Sequence, residues 1–390
     1  MRSVAIVTTS RADFGIYIPI VKELEKSKIL NYFFIVTGSH LSPNYGYTIR
    51  EIEKEKFKIG EKGEILLSSD TPSSTVKSMA LALNFFADVF TRRKIDLLLV
   101  LGDRFEMHSA ALAALPFNIP VAHIHGGELT YGAIDDSLRH SITKLSHLHF
   151  VATEEYRKRI IQLGENPENV IVSGAPSLDN LNFVKILSKK EIEKKLDIAL
   201  EANFLIATLH PETVGGESNG KNAKILFDAL EEFDYQVVVT APNADPQNSE
   251  IRKVIYDFAH NNRKIKVFEN LGTQLYFSLM NYASAMVGNS SSGILEAASF
   301  NLPVVNIGDR QKGRTRNKNI IDCPFDKRKI VDALKKATGK KFKDSIKDCK
   351  NIYVKGNASK IIVKNLEKYL SKGVNVRKEF YDLKVGDRVK

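Results

Sequence analysis

The feature that most constrains the fold is an alternation of short apolar runs with longer amphipathic stretches. A strand buried on both faces of a parallel sheet reads as a continuous apolar run, and the crossover helix that follows it is amphipathic, so this alternation predicts βαβ units. Strands are predicted at Ser3–Thr8, Asn31–Thr37, Leu97–Leu101, Pro120–His125, His149–Ala152 and Val170–Ser173, and then at Phe204–Thr208, Gln236–Thr240, Lys264–Phe268, Ala285–Val287 and Val304–Ile307.

Two domains are expected, because 390 residues exceed what one hydrophobic core usually organises. Helices are predicted between the strands, among them Ile16–Lys26, Thr75–Arg92, Arg104–Phe117 and a last helix at Asn357–Ser371. The fold class is therefore α/β, with two Rossmann-like doubly wound domains facing across a cleft, the GT-B arrangement. Gly-Ala-Pro-Ser interrupts the pattern near 174–189, so we assign residues 1–176 to the first domain, 177–365 to the second and 366–390 to a helix end and polar tail.

The charge and the cysteine content of the chain limit which kinds of partner and which cellular compartment are expected. The net charge of +11 comes from 57 Lys and Arg against 46 Asp and Glu, but the lysines are spread along helical stretches and form no basic stripe with aromatics. We therefore expect no nucleic-acid partner. Cys323 and Cys349 lie far apart, which suits a reducing compartment, and no apolar run approaches a membrane span. A cytoplasmic protein without a membrane partner is expected.

Ligands of open parallel sheets bind at the loops that follow the carboxyl ends of the strands. The first such loop, Thr8-Thr-Ser-Arg-Ala-Asp-Phe-Gly, lacks the G-x-G-x-x-G dinucleotide fingerprint, which argues against NAD. Arg11 in this loop can reach a phosphate, or it can pair with Asp13 at a helix start, and both interpretations stay open.

Asp103 follows the apolar run Leu97–Leu101 and precedes Arg104. A carboxylate at this strand end faces the predicted cleft, where it can act as a base. The alternative is an ordinary helix N-cap, a position that favours Asp. Arg104 can compensate the charge of Asp103 or that of a ligand.

The next loop, Val121-Ala-His-Ile-His-Gly-Gly-Glu, is followed by Ile134-Asp-Asp-Ser-Leu-Arg-His-Ser. One interpretation is acid–base chemistry on a sugar, and the other is a divalent metal bound by His-x-His with nearby carboxylates. His123 and His125 share a face of the predicted strand, but His147 and His149 lie on another strand. We therefore favour acid–base chemistry and expect no metal, while a packing role stays open for His108, His147 and His149.

In the second half, His210, Asn243 and Asp245 also follow predicted strands. The stretch Gly288-Asn-Ser-Ser-Ser-Gly then joins a strand to a helix, so that backbone N–H groups and hydroxyls meet there, which favours a phosphate. A plain serine N-cap is the alternative. Glu296 lies one turn further on and can reach a ribose, and Arg310 follows the next strand.

Six motifs in this order resemble the hydrolysing UDP-N-acetylglucosamine 2-epimerases over about residues 1–370. They are Thr9-Ser-Arg-Ala-Asp-Phe-Gly, Leu101-Gly-Asp-Arg-Phe-Glu, His123-Ile-His-Gly-Gly-Glu, Ile134-Asp-Asp-Ser-Leu-Arg-His, Gly288-Asn-Ser-Ser-Ser-Gly and Ile307-Gly-Asp-Arg-Gln-Lys-Gly-Arg. The resemblance implies that UDP-N-acetylglucosamine and water give N-acetylmannosamine and UDP, through elimination of UDP to a 2-acetamidoglucal, for sialic acid biosynthesis. It implies no cofactor and no metal, and a homodimer or homotetramer.

The same resemblance assigns roles by motif position, with acid–base residues in the first domain and UDP binding in the second. The catalytic candidates are Asp103, His125, Glu128, Asp135, Asp136 and His210. The candidates for contacts to UDP and sugar are Arg11, Arg104, Asn243, Ser290, Ser291, Ser292, Glu296 and Arg310.

One departure and two alternatives accompany this assignment. Several family members carry a glutamate where this chain has His125, so either His125 takes over the proton transfer or Glu128 or an aspartate does. A related substrate, UDP-2,4-diacetamido-2,4,6-trideoxyglucose, used on the way to legionaminic acid, is the first alternative. A GT-B glycosyltransferase is the second, and the several acid–base candidates argue against it, because transfer needs one base.

Overall fold

The computed structural model describes residues 1–69, 71–131, 133–212, 218–242, 248–373 and 375–383. Predicted site residue Asn243, with Asp245, lies outside them. The chain forms two compact units. The first consists of Met1–Glu128, Asp135–Asn180 and Tyr353–Lys390, and the second of Leu129–Ile134 and Leu181–Ile352.

The first unit is a parallel sheet with helices packed against it. Among the described residues the strand order is β3-β2-β1-β4-β5-β6-β7, so the connection reverses direction between β1 and β4. The strands are β1 (Arg2–Thr8), β2 (Leu30–Val36), β3 (Ile59–Lys62), β4 (Leu97–Leu101), β5 (Val121–Ile124), β6 (Leu148–Val151) and β7 (Val170–Val172). The helices are α1 (Arg11–Leu24), α2 (Ile49–Lys54), α3 (Pro72–Arg92), α4 (Phe105–Ala114), α5 (Asp135–Leu145) and α6 (Glu154–Gln162).

The second unit repeats this plan with the order β10-β9-β8-β11-β12-β13, which reverses between β8 and β11. Its strands are β8 (Phe204–Thr208), β9 (Gln236–Thr240), β10 (Ile265–Phe268), β11 (Ala285–Gly288), β12 (Val304–Ile307) and β13 (Ile320–Cys323). Its helices are α7 (Lys189–Leu196), α8 (Asn219–Leu230), α9 (Asn248–Asn261), α10 (Gly272–Tyr282), α11 (Ser291–Leu295), α12 (Lys327–Thr338) and α13 (Lys340–Ser345). All observed pairings in both sheets are parallel. The predicted α/β class with two doubly wound sheets is confirmed.

The chain ends on the first unit. Helix α14 (Ala358–Ser371) packs against α1, and its apolar face, with Ile362 and Leu366 fully buried, completes the first core. The sequence-based division placed residues up to 365 in the second domain, so the two divisions differ after Ile352. The residues of an amphipathic helix determine where its apolar face lies. Which hydrophobic core that face packs against depends on segments far away in the chain, so the helix sequence does not reveal it.

Two strands, β3 and β13, were not predicted. Both lie at sheet edges, and neither has a fully buried residue pattern, so neither shows the continuous apolar run of the central strands. The other strands overlap the predicted ones with shifts of one or two residues at their ends. Among the described residues, no helix has both the length and the apolar character that crossing a membrane requires.

Candidate active site

Several predicted site residues lie where each sheet reverses its strand order. In the first unit Arg11 follows β1 and Asp103 follows the adjacent β4, while in the second unit His210 follows β8 and Ser290 follows the adjacent β11. Loops on either side of a reversal diverge to opposite faces of the sheet and leave a crevice between them.

Asp103 is bound by a residue that the sequence analysis did not select. Its carboxylate accepts a hydrogen bond from Arg139, which lies on α5 and is 2% exposed. The N-cap of α4 is Arg104, so Asp103 is not the cap that the alternative interpretation required. The carboxylate is one-fifth exposed and remains accessible to a ligand.

Arg139 joins Asp103 to the loop after β5. Its Nη1 donates to the carbonyl oxygen of His125 at 2.7 Å and lies 3.9 Å from Oε2 of Glu128. A buried guanidinium is stable only with anionic or carbonyl partners, and here three groups of the predicted site supply them. Arg139 therefore fixes the distance between the two predicted acid–base groups, Asp103 and Glu128.

His125 and Glu128 form a buried pair. Nδ1 of His125 lies 2.6 Å from Oε1 of Glu128, and the two side chains are 5% and 2% exposed. The backbone of His125 is left-handed, with φ +63°, a conformation that a non-glycine residue adopts at a cost and that clusters at functional sites. Strand β5 ends at Ile124, so the alternation that placed His123 and His125 on one face does not extend to His125.

His123 holds the turn that carries Asp103. Its Nε2 lies 2.7 Å from the carbonyl oxygen of Gly102, and its Nδ1 lies 3.3 Å from the hydroxyl of Thr143. Burial lowers the pKa of His123 to about 3, so the ring is neutral at pH 7. His123 is thus a positioning residue behind the site.

Asp135 and Asp136 begin α5, the helix that carries Arg139. Both are half-buried, and Asp136 lies 3.7 Å from Nε2 of His140 one turn further on. Carboxylates in a first helical turn are stabilised by the helix dipole. The three histidines for which packing stayed open are held locally, and His149, for example, lies 3.1 Å from Glu165.

The loop after β1 is organised around Asp13. Its carboxylate accepts hydrogen bonds from the backbone N–H groups of Thr9 and Ser10 and from both of their hydroxyls. Burial raises the pKa of Asp13, and these hydrogen bonds and Arg104 oppose that rise. Asp13 is therefore the N3 residue of a capping box with Ser10 at the start of α1, whose first residue is the half-buried Arg11.

Arg104 lies beside a second buried carboxylate, Glu106. Its Nε and Nη2 lie 3.3 and 3.4 Å from the Glu106 oxygens, and Glu106 is fully buried. Burial raises the pKa of Glu106, while Arg104 opposes this rise. Arg104 is thus held in place by Glu106, with its side chain 14% exposed.

In the second unit, Asn289 joins the loops after β8 and β11. Its side-chain oxygen accepts from the backbone N–H of His210 at 2.7 Å, and its amide donates to the carbonyl oxygen of His210 at 2.9 Å. Asn289 is fully buried. This two-point contact of the side-chain amide with the backbone N–H and C=O of His210 fixes the position of His210 relative to Ser290.

The hydroxyls of the Gly288–Gly293 stretch face a tyrosine. Ser290 is the N-cap of α11 and accepts from the N–H of Ser292 at 3.3 Å, as the capping interpretation held. Tyr276 lies close to Ser292, Thr208 and Ser290, and burial together with Glu296 raises its pKa to about 12. Its phenol is therefore neutral at pH 7 and available as a donor.

The loop after β12 is fastened to this stretch. Arg310 donates from Nη1 to the carbonyl oxygen of Asn289 at 3.4 Å, and the buried Gln311 donates to the same oxygen at 2.9 Å. Oε1 of Glu212 accepts from the backbone N–H groups of Asp309 and Arg310 at 3.0 and 3.1 Å. Burial raises the pKa of Glu212. These bonds hold Arg310 beside the serines.

The structure thus gathers the predicted residues into two sets and adds five that the sequence analysis missed. The missed residues hold the predicted ones in position, and one of them, Asn289, itself directly follows a strand, β11. A polar side chain inside an otherwise apolar helix face, as at Arg139, is the signal that could have found one of them. They are Arg139, Glu212, Tyr276, Asn289 and Gln311.

Two doubly wound parallel sheets, one with a carboxylate–imidazole set and the other with a Gly-Asn-Ser-Ser-Ser-Gly loop at the reversal, define an α/β enzyme of the GT-B type. The family described as UDP-N-acetylglucosamine 2-epimerase matches residues 22–367. The chain belongs to this family.

Two relatives and one solved structure illustrate the match. The chain is 42% identical to a protein of Campylobacter jejuni named GDP/UDP-N,N'-diacetylbacillosamine 2-epimerase (hydrolyzing), over 98% of this chain and 99% of that one. It is 35% identical to a Legionella pneumophila protein named UDP-N,N'-diacetylbacillosamine 2-epimerase (hydrolyzing), over 87% and 90%. The crystal structure of UDP-GlcNAc 2-epimerase from Neisseria meningitidis bound to UDP-GlcNAc has the same fold, with a TM-score of 0.79, 21% identity and coverage of 94% and 100%. The predicted family and enzyme class are confirmed.

Proposed function

We propose that this chain is a hydrolysing 2-epimerase of UDP-N,N'-diacetylbacillosamine, which is UDP-2,4-diacetamido-2,4,6-trideoxyglucose. The observation that carries the choice of sugar is the similarity, along almost the whole chain, to the Campylobacter jejuni protein named GDP/UDP-N,N'-diacetylbacillosamine 2-epimerase (hydrolyzing). The Legionella pneumophila relative points to the same sugar. This sugar is the alternative of the sequence analysis, and UDP-N-acetylglucosamine becomes the competing substrate.

The two units have different roles in this proposal. The second unit holds UDP at Gly288–Gly293, where the serine hydroxyls and the Tyr276 phenol donate to phosphate oxygens and Arg310 supplies positive charge. The first unit supplies the acid–base groups that act on carbon 2 of the sugar, from the set around Arg139.

The reaction removes the hydrogen at carbon 2 as UDP leaves carbon 1, and water then adds to the resulting double bond. The hydrogen at carbon 2 is only weakly acidic, so a base must be placed against it, and the departing diphosphate needs positive charge or N–H donors. A proton returned to the opposite face of carbon 2 inverts that centre. Two acid–base groups held at a fixed separation meet this need, and Arg139 provides that separation because it binds both Asp103 and the His125–Glu128 pair.

A paired substrate assay in heavy water tests the proposal. UDP-N,N'-diacetylbacillosamine should give UDP and a 2-epimerised sugar that carries deuterium at carbon 2, with a kcat/KM at least about tenfold above that of UDP-N-acetylglucosamine, since a few altered groups in a pocket discriminate to that degree. UDP release and mass spectrometry of the sugar report both quantities. A preference for UDP-N-acetylglucosamine would reject the choice of sugar, and a product without deuterium would reject the proton transfer.

Asp103→Asn is expected to lower kcat by about 10²–10⁴-fold while the protein stays folded. The amide has the same shape and still accepts a hydrogen bond from Arg139, but it cannot take or return a proton. Steady-state UDP release and the thermal unfolding midpoint measure the two effects. Asp322→Asn, on the exposed edge strand β13, is the matched control and should leave kcat unchanged. Turnover by Asp103→Asn close to that of the unaltered chain would remove Asp103 from the mechanism.

A further inference from the structure

His125 has one nitrogen that the fold leaves without a partner. Nδ1 is engaged by Glu128 at 2.6 Å, whereas Nε2 is buried and has no hydrogen-bond partner among the described residues. Leaving a buried polar atom unpaired costs stability, so such an atom in a native structure calls for an explanation. The left-handed backbone at φ +63° adds a second cost at the same residue.

The contacts of the pair indicate which ring nitrogen of His125 carries the hydrogen. The guanidinium of Arg139 lies 3.9 Å from Oε2 of Glu128 and stabilises the carboxylate form of that side chain. A carboxylate only accepts, so Nδ1 of His125 must carry the hydrogen that lies between them. In the neutral ring Nε2 then holds a lone pair and can act as a base.

Arg139 and His123 are two further charged or titratable side chains near this pair. Arg139 also donates to the carbonyl oxygen of His125 and pairs with Asp103, and His123 is neutral because burial lowers its pKa to about 3. Glu128 is thus the carboxylate in direct contact with the imidazole, and a proton gained at Nε2 creates an imidazolium that Glu128 stabilises directly.

We propose that His125 is the catalytic base that removes the hydrogen from carbon 2, and that Glu128 is a positioning residue that sets its tautomer. This inference rests on the proposed function. Nε2 takes the proton, the electron pair of the C2–H bond forms the double bond between carbons 1 and 2, and the C1–O bond breaks with its pair on the UDP oxygen. The proton leaves Nε2 for solvent after the sugar is hydrated. His125 thus takes the place of the glutamate found there in several family members.

The main test is His125→Asn. Asparagine tolerates the left-handed backbone, and its amide nitrogen can take the place of Nδ1 and donate to Glu128, so this variant removes Nε2 and little else. We expect kcat to fall by about 10²–10⁴-fold, with KM within about threefold and the unfolding midpoint almost unchanged. His125→Gly, which relieves the left-handed strain, should show the same loss of kcat.

Glu128→Gln tests the positioning role. The amide can donate to Nδ1, which moves the ring hydrogen to Nε2 and removes the base, so kcat should fall by about 10²-fold or more. Proton removal should then limit the rate, and substrate deuterated at carbon 2 should show a larger isotope effect on kcat than with the unaltered chain. A purely structural defect would lower the amount of active enzyme and leave this isotope effect unchanged. His108→Asn, a half-buried histidine of α4 bonded to Ser141, is the control and should change neither quantity.

The outcomes separate the two proposals. If the unaltered chain releases UDP from neither UDP-sugar, the proposed function fails. If the unaltered chain is active and folded His125→Asn or His125→Gly keeps kcat within about tenfold, His125 is not the base and only this inference fails. A Glu128→Gln variant with an unchanged isotope effect would overturn the positioning role.

Discussion

Arg139→Met is expected to abolish UDP release and to destabilise the first unit by about 3–5 kcal/mol. Arg139 is 2% exposed, and it is bound to Asp103 and to the carbonyl oxygen of His125 and lies near Glu128. Removing the cation takes a charge partner away from the buried Glu128 and from Asp103. The free energy of unfolding should therefore fall, and the geometry of the candidate site should change.

The measurements are urea unfolding followed by circular dichroism, and initial rates of UDP release. Arg157→Met on α6 is the matched control. Arg157 donates to the carbonyl oxygens of Val170 and Pro167 and contacts no candidate site residue in these bonds. Arg157→Met should lower the free energy of unfolding by about 1 kcal/mol and leave the rate of UDP release unchanged. An Arg139→Met variant as stable and active as the control would show that Arg139 does not organise the site.

Gly288→Ala is expected to destabilise the second unit by about 4 kcal/mol or more and to weaken UDP binding at least about tenfold. A Cβ atom at Gly288 would lie 1.9 Å from the carbonyl oxygen of Thr208, which is its paired residue on β8, and the backbone at φ +128° is one that side chains rarely adopt. The strand β11 would have to move away from β8, and the serines that follow would move with it.

Gly272→Ala is the control for backbone strain alone. Gly272 also has a left-handed backbone, with φ +64°, but a Cβ atom there would meet nothing within 4 Å. Gly272→Ala should lower the free energy of unfolding by about 1–2 kcal/mol and leave the affinity for UDP unchanged. Calorimetric titration with UDP and chemical unfolding compare the two variants. Equal effects of the two substitutions would mean that the close approach of β11 to β8 does not position the UDP site.

The two sets of site residues also show which functional residues can be identified from the local sequence alone. Asp103 and Ser290 come two residues after β4 and β11, and Glu128 comes four residues after β5. A residue just beyond the end of a buried parallel strand lies at the ligand-binding edge whatever the rest of the chain does. Arg139 and Asn289 act through residues 36 and 79 positions away in the chain, Asp103 and His210. No local pattern specifies such partners.

The sequence by itself determined the α/β class, the central strands and the loops that carry the candidate residues, because these follow from hydrophobic period and from chemistry at strand ends. Only the tertiary structure decided that Arg139 joins Asp103 to the His125–Glu128 pair, that Leu129–Ile134 belongs to the second unit, and that α14 completes the first. It also decided that Nε2 of His125 stays without a partner among the described residues. The physical reason is that periodicity is set by neighbours along the chain, whereas burial and pairing depend on segments that meet only after folding.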